Sequence, residues 1–398
     1  MGSTAAGTPG RRLLLLLLLH SMLAQVITFV LRPAATYRAI ELDVPAAWLG
    51  VLGASFAVVP LLLAVPSGQA TDRFGERRVM VVGSVLMALS GLVLTFAGSS
   101  AAGLVLGCVV LGTGHLLCVV GQQAAVANSA GPGTFDAAFG YYTFAASLGQ
   151  AIGPGLLILA GGRRSIPDTG AIFLVATAIG IALVLCSTVL RMPARPGSAG
   201  DSKLGGMRTL LRLPGLVRAL VISCIVLAAV DITLVYLPAL GADRGLAAGF
   251  IGFLLTLRAV ASMTSRFFLG QLVGWMGRRR LMISTAALSA ASMAALGFPL
   301  PPAAMVAVVL LLGLGLGVGQ PLTMSWLALS APAGLRGRAM SLRLTGNRLG
   351  QVLIPSAVGA VAAGVGAAGV LWTTAAALGL VVGAARGISG DDPRPTAT

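Results

Sequence analysis

Asp231 is the only acidic residue deep inside any of the long apolar segments of this chain, and Arg258 lies inside the next one. Each is about 14 residues from the same end of its segment. At 1.5 Å per residue both sit roughly 21 Å from one face. Equal depth on neighbouring segments predicts an ion pair. The chemistry of such a pair has two forms. It is static, or Asp231 takes a proton and leaves Arg258 without its partner, so that a substrate or a conformational change must compensate. Ionisable groups buried among apolar residues cost several kcal/mol unless paired or facing water, which makes them the first candidates for a site.

Other polar residues fall in stripes. Ser21, Gln25, Thr28 and Arg32 lie within about 60° of one another on a helix, opposite Leu, Val and Phe. A stripe of this kind faces a wet cavity or glues helices together. Pro33 follows and is expected to kink the outer end. Arg343, Asn347 and Gln351 form a second stripe at i, i+4 and i+8, with Arg348 about 100° from Asn347. Arg343 and Arg266, near segment ends, are expected to snorkel towards the interface. Gln122 and Gln123 are neutral binding candidates, and His115 shares a face with Gln122. His115 and His20 are isolated and read as packing residues rather than proton carriers. No His, Asp and Glu residues converge as an enzyme would need. Cys108, Cys118, Cys186 and Cys224 lie in apolar runs without metal spacing and read as reduced packing residues. No G-x-x-x-x-G-K-[ST] loop occurs, so nothing supports ATP drive. No cofactor, metal or enzymatic activity is expected.

The elements that position these residues follow from composition. The 398-residue chain is 57% hydrophobic and 10% charged, whereas a soluble domain carries roughly a quarter charged residues. The expected class is an all-α polytopic membrane protein, because backbone groups in lipid need partners within their own segment. Breaks at Pro, Gly and charge clusters predict twelve spans: 12–36, 46–69, 78–98, 101–128, 136–160, 169–191, 216–240, 246–273, 280–300, 302–329, 338–364 and 366–386. Arg11-Arg12 before the leucine run resembles a signal peptide, but the apolar run exceeds a signal core and no convincing cleavage site follows.

The net charge of +16 does not point to nucleic acid, because the cations sit between spans rather than on one soluble face. With the N-terminus inside, most of them fall on the inner side, and only Arg38, Arg163, Arg164 and Arg244 fall outside. The positive-inside rule then places both termini in the cytoplasm of a plasma or inner membrane. The polar stretch RMPARPGSAGDSKLGGMR reads as a linker, giving residues 1–192, 193–215 and 216–398 as first bundle, linker and second bundle.

The halves echo each other. PSGQATDRFGERR at 66–78 and GQLVGWMGRRR at 270–280 align at an offset of 202, matching Gly68, Gln69, Gly75, Arg77 and Arg78 with Gly270, Gln271, Gly277, Arg279 and Arg280. LGQAIGP at 148–154 matches LGQVLIP at 349–355, and Gly112 and Gly114 match Gly313 and Gly315, at an offset of 201. Such order predicts two pseudo-symmetric six-helix bundles.

Twelve spans, a central loop and Gly68-x-x-x-Asp72-Arg73-x-Gly75-x-Arg77-Arg78 together resemble the major facilitator superfamily over nearly the whole chain. Gly149-x-x-x-Gly153-Pro154 is similar to part of the antiporter motif of its efflux branches. Two features depart from the pattern. The second loop copy has Gly274 and Trp275 in place of Asp72 and Arg73, and residues 107–130 lack the drug-antiporter arginine. The resemblance implies alternating access, a central small-molecule cavity lined by the first helix, and a monomer in the bilayer. It implies that Asp72 latches the inner side; topology alone is the other reading of the loop charges. Gly153-Pro154 is where bending is tolerated. The expected function is proton-coupled efflux through Asp231. The alternative is transport of an organic anion, on the strength of several intramembrane arginines against one carboxylate. The expected binding and coupling set is Gln25, Thr28, Arg32, Gln122, Asp231, Arg258, Asn347 and Arg348.

Overall fold

The computed structural model describes residues 11–129, 135–190, 215–330 and 336–386. Within them, helices stand at all twelve predicted positions: α1 (Arg11–Glu41), α2 (Ala46–Phe74), α3 (Glu76–Ala97), α4 (Ala101–Ser129), α5 (Phe135–Gly161), α6 (Thr169–Val189), α7 (Leu216–Asp243), α8 (Ala248–Phe267), α9 (Leu269–Met276), α10 (Arg278–Leu296), α11 (Pro302–Ser330) and α12 (Arg336–Arg386). Ten segments among the described residues are long and apolar enough to cross a membrane. The helix α12 covers the last two predicted spans. It breaks at Gly366, whose φ of 66° and ψ of −167° suit a residue without Cβ. Exposed Leu62, Phe96, Leu159 and Leu380 clothe the outer surface, as lipid demands. The linker expected at 193–215 lies outside the described residues, apart from Gly215.

Three differences from expectation concern helix ends. The charged stretch at 66–78 is mostly helix: α2 runs through Pro66 to Phe74, and only Gly75 separates it from α3. Gly75 adopts φ 86°, ψ 154°, and Gly277, its counterpart between α9 and α10, adopts φ 73°, ψ 154°. The same one-residue turn is built twice. The eighth predicted span, 246–273, is divided at Phe268 into α8 and α9. In α1 the helix continues past Pro33 to Glu41.

Packing repeats between the halves. In the first, α3 packs on α4 and α6, α1 on α5 and α6, and α2 on α4. In the second, α10 packs on α11 and α12, α7 on α12, and α8 on α11. The predicted glycine pairs mark the correspondence. Gly112 of α4 lies against the backbone at Phe56, and Gly313 of α11 against the backbone at Arg258, 202 positions later. Gly114 meets Gly83 and Met87, while Gly315 meets Thr285 and Ser289, again 202 positions on.

The halves meet through α5 with α8 and α2 with α12. One face of the bundle carries Arg77, Arg78 and Arg278 to Arg280 and is called the basic face here. Towards the other face the halves are closed. Gly161, Gly249 and Gly252 bring α5 against α8, and Gly50 brings α2 against Pro355 and Gly359 of α12. Towards the basic face α5 and α8 part, leaving a cavity of about 580 Å³ lined by Tyr141, Phe144, Ser147, Met263, Arg266 and Phe267. A Cβ added at Gly68, Gly75, Gly270, Gly274 or Gly277 would meet nothing within 4 Å.

Candidate functional site

Arg32, in the outer third of α1, and Asp231, midway through α7, form an ion pair that joins the two halves, and both are about 95% buried. This corrects the expected Asp231–Arg258 pair. Depth along neighbouring helices was a sound guide to range but not to direction. The α1 stripe turns Arg32 across the interface, and it reaches the carboxylate first. Asp231 Oδ1 accepts from Arg32 Nη1, and Oδ2 accepts from Gln351 Nε2 at 2.6 Å. Arg348 Nη1 donates to Gln351 Oε1 at 2.9 Å. Arg348 is therefore tied to Asp231 through an amide.

Arg32 also stacks over Phe56, its guanidinium carbon 4.6 Å from the ring centroid, a cation–π contact. His115 leans on the same ring at a centroid distance of 5.5 Å. Its Nε2 accepts from Gln25 Nε2 at 3.2 Å. Arg258 is only 2% exposed and makes no ion pair among the described residues. It lies within electrostatic range of Asp231, Arg32 and Arg266, and Arg348 within that of Asp231 and Arg32. Arg32 Nη2, Arg258 Nε and His115 Nδ1 are buried without hydrogen-bond partners.

The structure thus brings together Gln25, Arg32, Asp231, Arg258 and Arg348 from the expected set, and adds Phe56, His115 and Gln351. Three guanidinium groups face one carboxylate, and both oxygens of that carboxylate are occupied by Arg32 and Gln351. Buried guanidinium groups without counter-charges are costly, so the cluster suits a negatively charged guest.

The remaining expected residues go elsewhere. Thr28 donates to Ala24 O of its own helix at 2.9 Å and offers nothing to the cluster. Gln122 points to a separate network near the basic face. Its Nε2 lies 2.7 Å from His20 Nδ1, its Oε1 accepts from the Tyr142 hydroxyl at 3.2 Å, and His20 Nε2 meets Ser187 Oγ at 2.7 Å. His115 therefore does not join Gln122. Asn347 accepts from Ser223 Oγ at 2.7 Å. Arg343 does not snorkel: it is 7% exposed and donates through Nη2 to Gln320 Oε1 and, at 3.2 Å, to Gln320 O. Arg266 binds Ser147 Oγ and Gly317 O, both at 3.1 Å, linking the halves beside the cavity.

At the loop motif, Arg73 and Arg78 are exposed, Arg73 over Phe74, and Arg77 donates to Thr188 O. The side chain of Asp72 lies outside the described residues, so its latch role keeps the standing of an expectation. Glu76 is an addition. It is 5% exposed and accepts from Asn128 Nδ2 at 2.5 Å, pinning α3 to α4. An acid directly after the turn glycine, in the first turn of a helix, was the signal available for it. Gly149 and Gly153 are close-approach points, against Met22 and Gln25 and against Val26 and Phe29 of α1. Gly350 stands in the same way against Cys224 of α7.

The chain belongs to the Major Facilitator Superfamily, whose family model matches it twice, over residues 14–245 and 219–397. Its structural neighbours are transporters of that fold. The nucleoside transporter NupG shares 15% identity with a TM-score of 0.74, covering 94% of this chain and 98% of that one. A D-xylose–proton symporter shares 15% at a TM-score of 0.76, covering 94% and 97%. The human organic anion transporter MFSD10 (TETRAN) shares 17% at 0.67, covering 95% and 100%. No curated protein sequence matches the chain. The protein is a multi-pass membrane protein of a superfamily of secondary transporters of small molecules.

Proposed function

We propose that this protein carries a small organic anion across the plasma or inner membrane by alternating access, as a monomer of two six-helix bundles with both termini in the cytoplasm. The observation that carries the substrate class is the central charge count: Arg32, Arg258 and Arg348 against Asp231, with Arg258 unpaired. The basic face is then the cytoplasmic face by the positive-inside rule. The conformation is inward-open, with the α2–α12 and α5–α8 seams shut on the outside. An arriving carboxylate would compete with Asp231 for Arg32. Asp231, released, would take up a proton, which couples the anion to proton movement across the Arg32–Asp231 bridge between the halves.

A second reading is proton-coupled efflux of an amphiphilic compound. It is favoured by the cavity at the basic face, where Tyr141, Phe144, Met263 and Phe267 offer apolar and aromatic walls. One experiment separates the two. Liposomes holding the purified protein and a pH-sensitive dye are exposed to matched organic anions and cations, for wild type, Arg258→Gln and Asp231→Asn. Anion-triggered proton flux that falls in both variants is the expected result. Flux triggered by cations or neutral amphiphiles, and kept in Arg258→Gln, would replace the anion reading with efflux.

A further inference from the structure

The first-half network of His20, Gln122, Tyr142 and Ser187 is neutral, and its side chains serve one another. The second half has a network in the corresponding place. Arg343 follows Tyr142 by 201 positions, the offset of the LGQ repeat, and Gln320 lies one turn from the position equivalent to Gln122. There Gln320 Nε2 donates to Ser223 O at 2.6 Å, Ser223 donates to Asn347, and Arg343 donates to Gln320. The difference is a whole positive charge. Tyr142 shows that the duplicated frame closes at this position without one. All polar neighbours of Arg343 in the network are neutral, its Nε is buried without an acceptor, and no described carboxylate pairs with it. A guanidinium 93% buried on those terms carries an unmet demand for an acceptor.

We infer that Arg343, with Ser223, Gln320 and Asn347, is a second oxyanion site that takes a carboxylate or phosphate group. Its place fits a station on the way to the centre. Arg343, Asn347 and Gln351 form one stripe, and Gln351 holds Asp231, eight residues or about 12 Å beyond Arg343. Arg343 stands nearer the basic face than Arg348 and Arg32, so an anion entering from that face would meet it first. The site stands on the contrast with Tyr142 and does not depend on what the central cluster carries.

Cys224 is a native reporter for it. Its thiol is half-buried, donates to Gly346 O at 2.9 Å and lies within electrostatic range of Arg343, while Cys108, Cys118 and Cys186 are buried. The experiment follows alkylation of Cys224 by N-ethylmaleimide, read by intact mass, on protein in lipid nanodiscs. One arm titrates inorganic phosphate in zwitterionic lipid. The other raises the fraction of anionic phospholipid. Severalfold slowing in either arm is expected, a dissolved anion in the first and a headgroup in the second. Arg343→Gln should abolish the slowing, and Arg258→Gln should keep it. Arg343→Tyr, which restores the first-half residue, serves as the second variant should the glutamine variant misfold. No slowing in either arm, or slowing that persists without Arg343, would overturn the site. Slowing lost with Arg258 but not with Arg343 would assign the anion to the centre instead.

Discussion

The two halves share a frame and differ in charge. The glycines that set α4 on α2 and α11 on α8 recur at fixed offset, as does the turn at Gly75 and Gly277. Yet the position of Phe56 in the first half is held by Arg258 in the second, and that of Tyr142 by Arg343. Packing positions repeat because backbone approach leaves little freedom: a side chain at Gly112 or Gly313 would strike a carbonyl. Polar positions diverge because a network closes with many residue sets, provided its donors and acceptors match. The proposed site is therefore concentrated in the differences between the halves. The second half supplies Arg258 and Arg348, the carboxylate and the amide that holds it. The first supplies Arg32 and the aromatic wall against which it rests.

The largest test of that division is the ion pair that, among the described residues, takes a charge from each half. Asp231→Leu leaves Arg32 buried and uncompensated, at a cost of about 3–5 kcal/mol. It should appear as a marked drop in thermal midpoint and as transport at background. Arg32→Leu should cost similarly, because Asp231 then keeps only Gln351. The double variant should recover most of the stability, since two apolar groups replace a paired set of charges, but none of the transport. A double variant no more stable than either single one would mean that the bridge does not couple the halves.

The frame was legible in the sequence to a much greater depth than the site. Apolar length and the positions of Pro, Gly and charge placed every span, though not the division of the eighth into α8 and α9, and the break at 364–366 fell on Gly366, because the membrane permits few alternatives. The glycine echoes, read as a mark of duplication, fall where equivalent backbones come near in the two halves. Partners were less legible. Depth matched Asp231 to Arg258, and the packing of α1 against α7, which one sequence does not give, decides for Arg32. Thr28 satisfies the stripe pattern but spends its hydroxyl on Ala24. His20 reads as isolated in the sequence but is the centre of a network, since its partners Gln122 and Ser187 lie more than 100 positions away.

A sharper comparison substitutes the frame itself. Gly112→Ala and Gly313→Ala each place a methyl group against a carbonyl of the neighbouring helix, at Phe56 and Arg258 respectively. Overpacking of this kind costs typically about 1–3 kcal/mol. If the halves are equivalent in packing, the two thermal midpoints should fall by similar amounts. Activity should not fall equally. Moving the backbone at Arg258 shifts an unpaired guanidinium of the centre, whereas moving it at Phe56 shifts a ring that Arg32 can follow. Transport by the folded fraction should therefore suffer more in Gly313→Ala. Equal losses of activity would weaken the assignment of substrate binding to Arg258.

The smallest expected effect concerns two arginines that the charge rule leaves on the minority side. Arg38 Nε donates to Gly98 O at 3.2 Å, and Arg244 Nη2 to Gly297 O at 2.9 Å. Gly98 and Gly297 cap the C-terminal ends of α3 and α10, so each arginine meets the negative end of a helix dipole. These positions have a structural reason to be cationic that outweighs topology, and the reason is duplicated. Replacing either by Gln should cost about 0.3–1 kcal/mol, the range for a cation at a helix C-terminus. Arg38 also pairs with Glu41 at 2.7 Å, partly exposed, whereas Arg244 keeps an Nη1 that is buried without a partner. Loss of Arg38 should therefore show the salt dependence of an exposed pair, and loss of Arg244 should not. Thermal midpoints of both variants at low and high salt decide this. Equal salt dependence would make the two clamps alike in energetics as well as in geometry, and would confine the divergence of the halves to the interior.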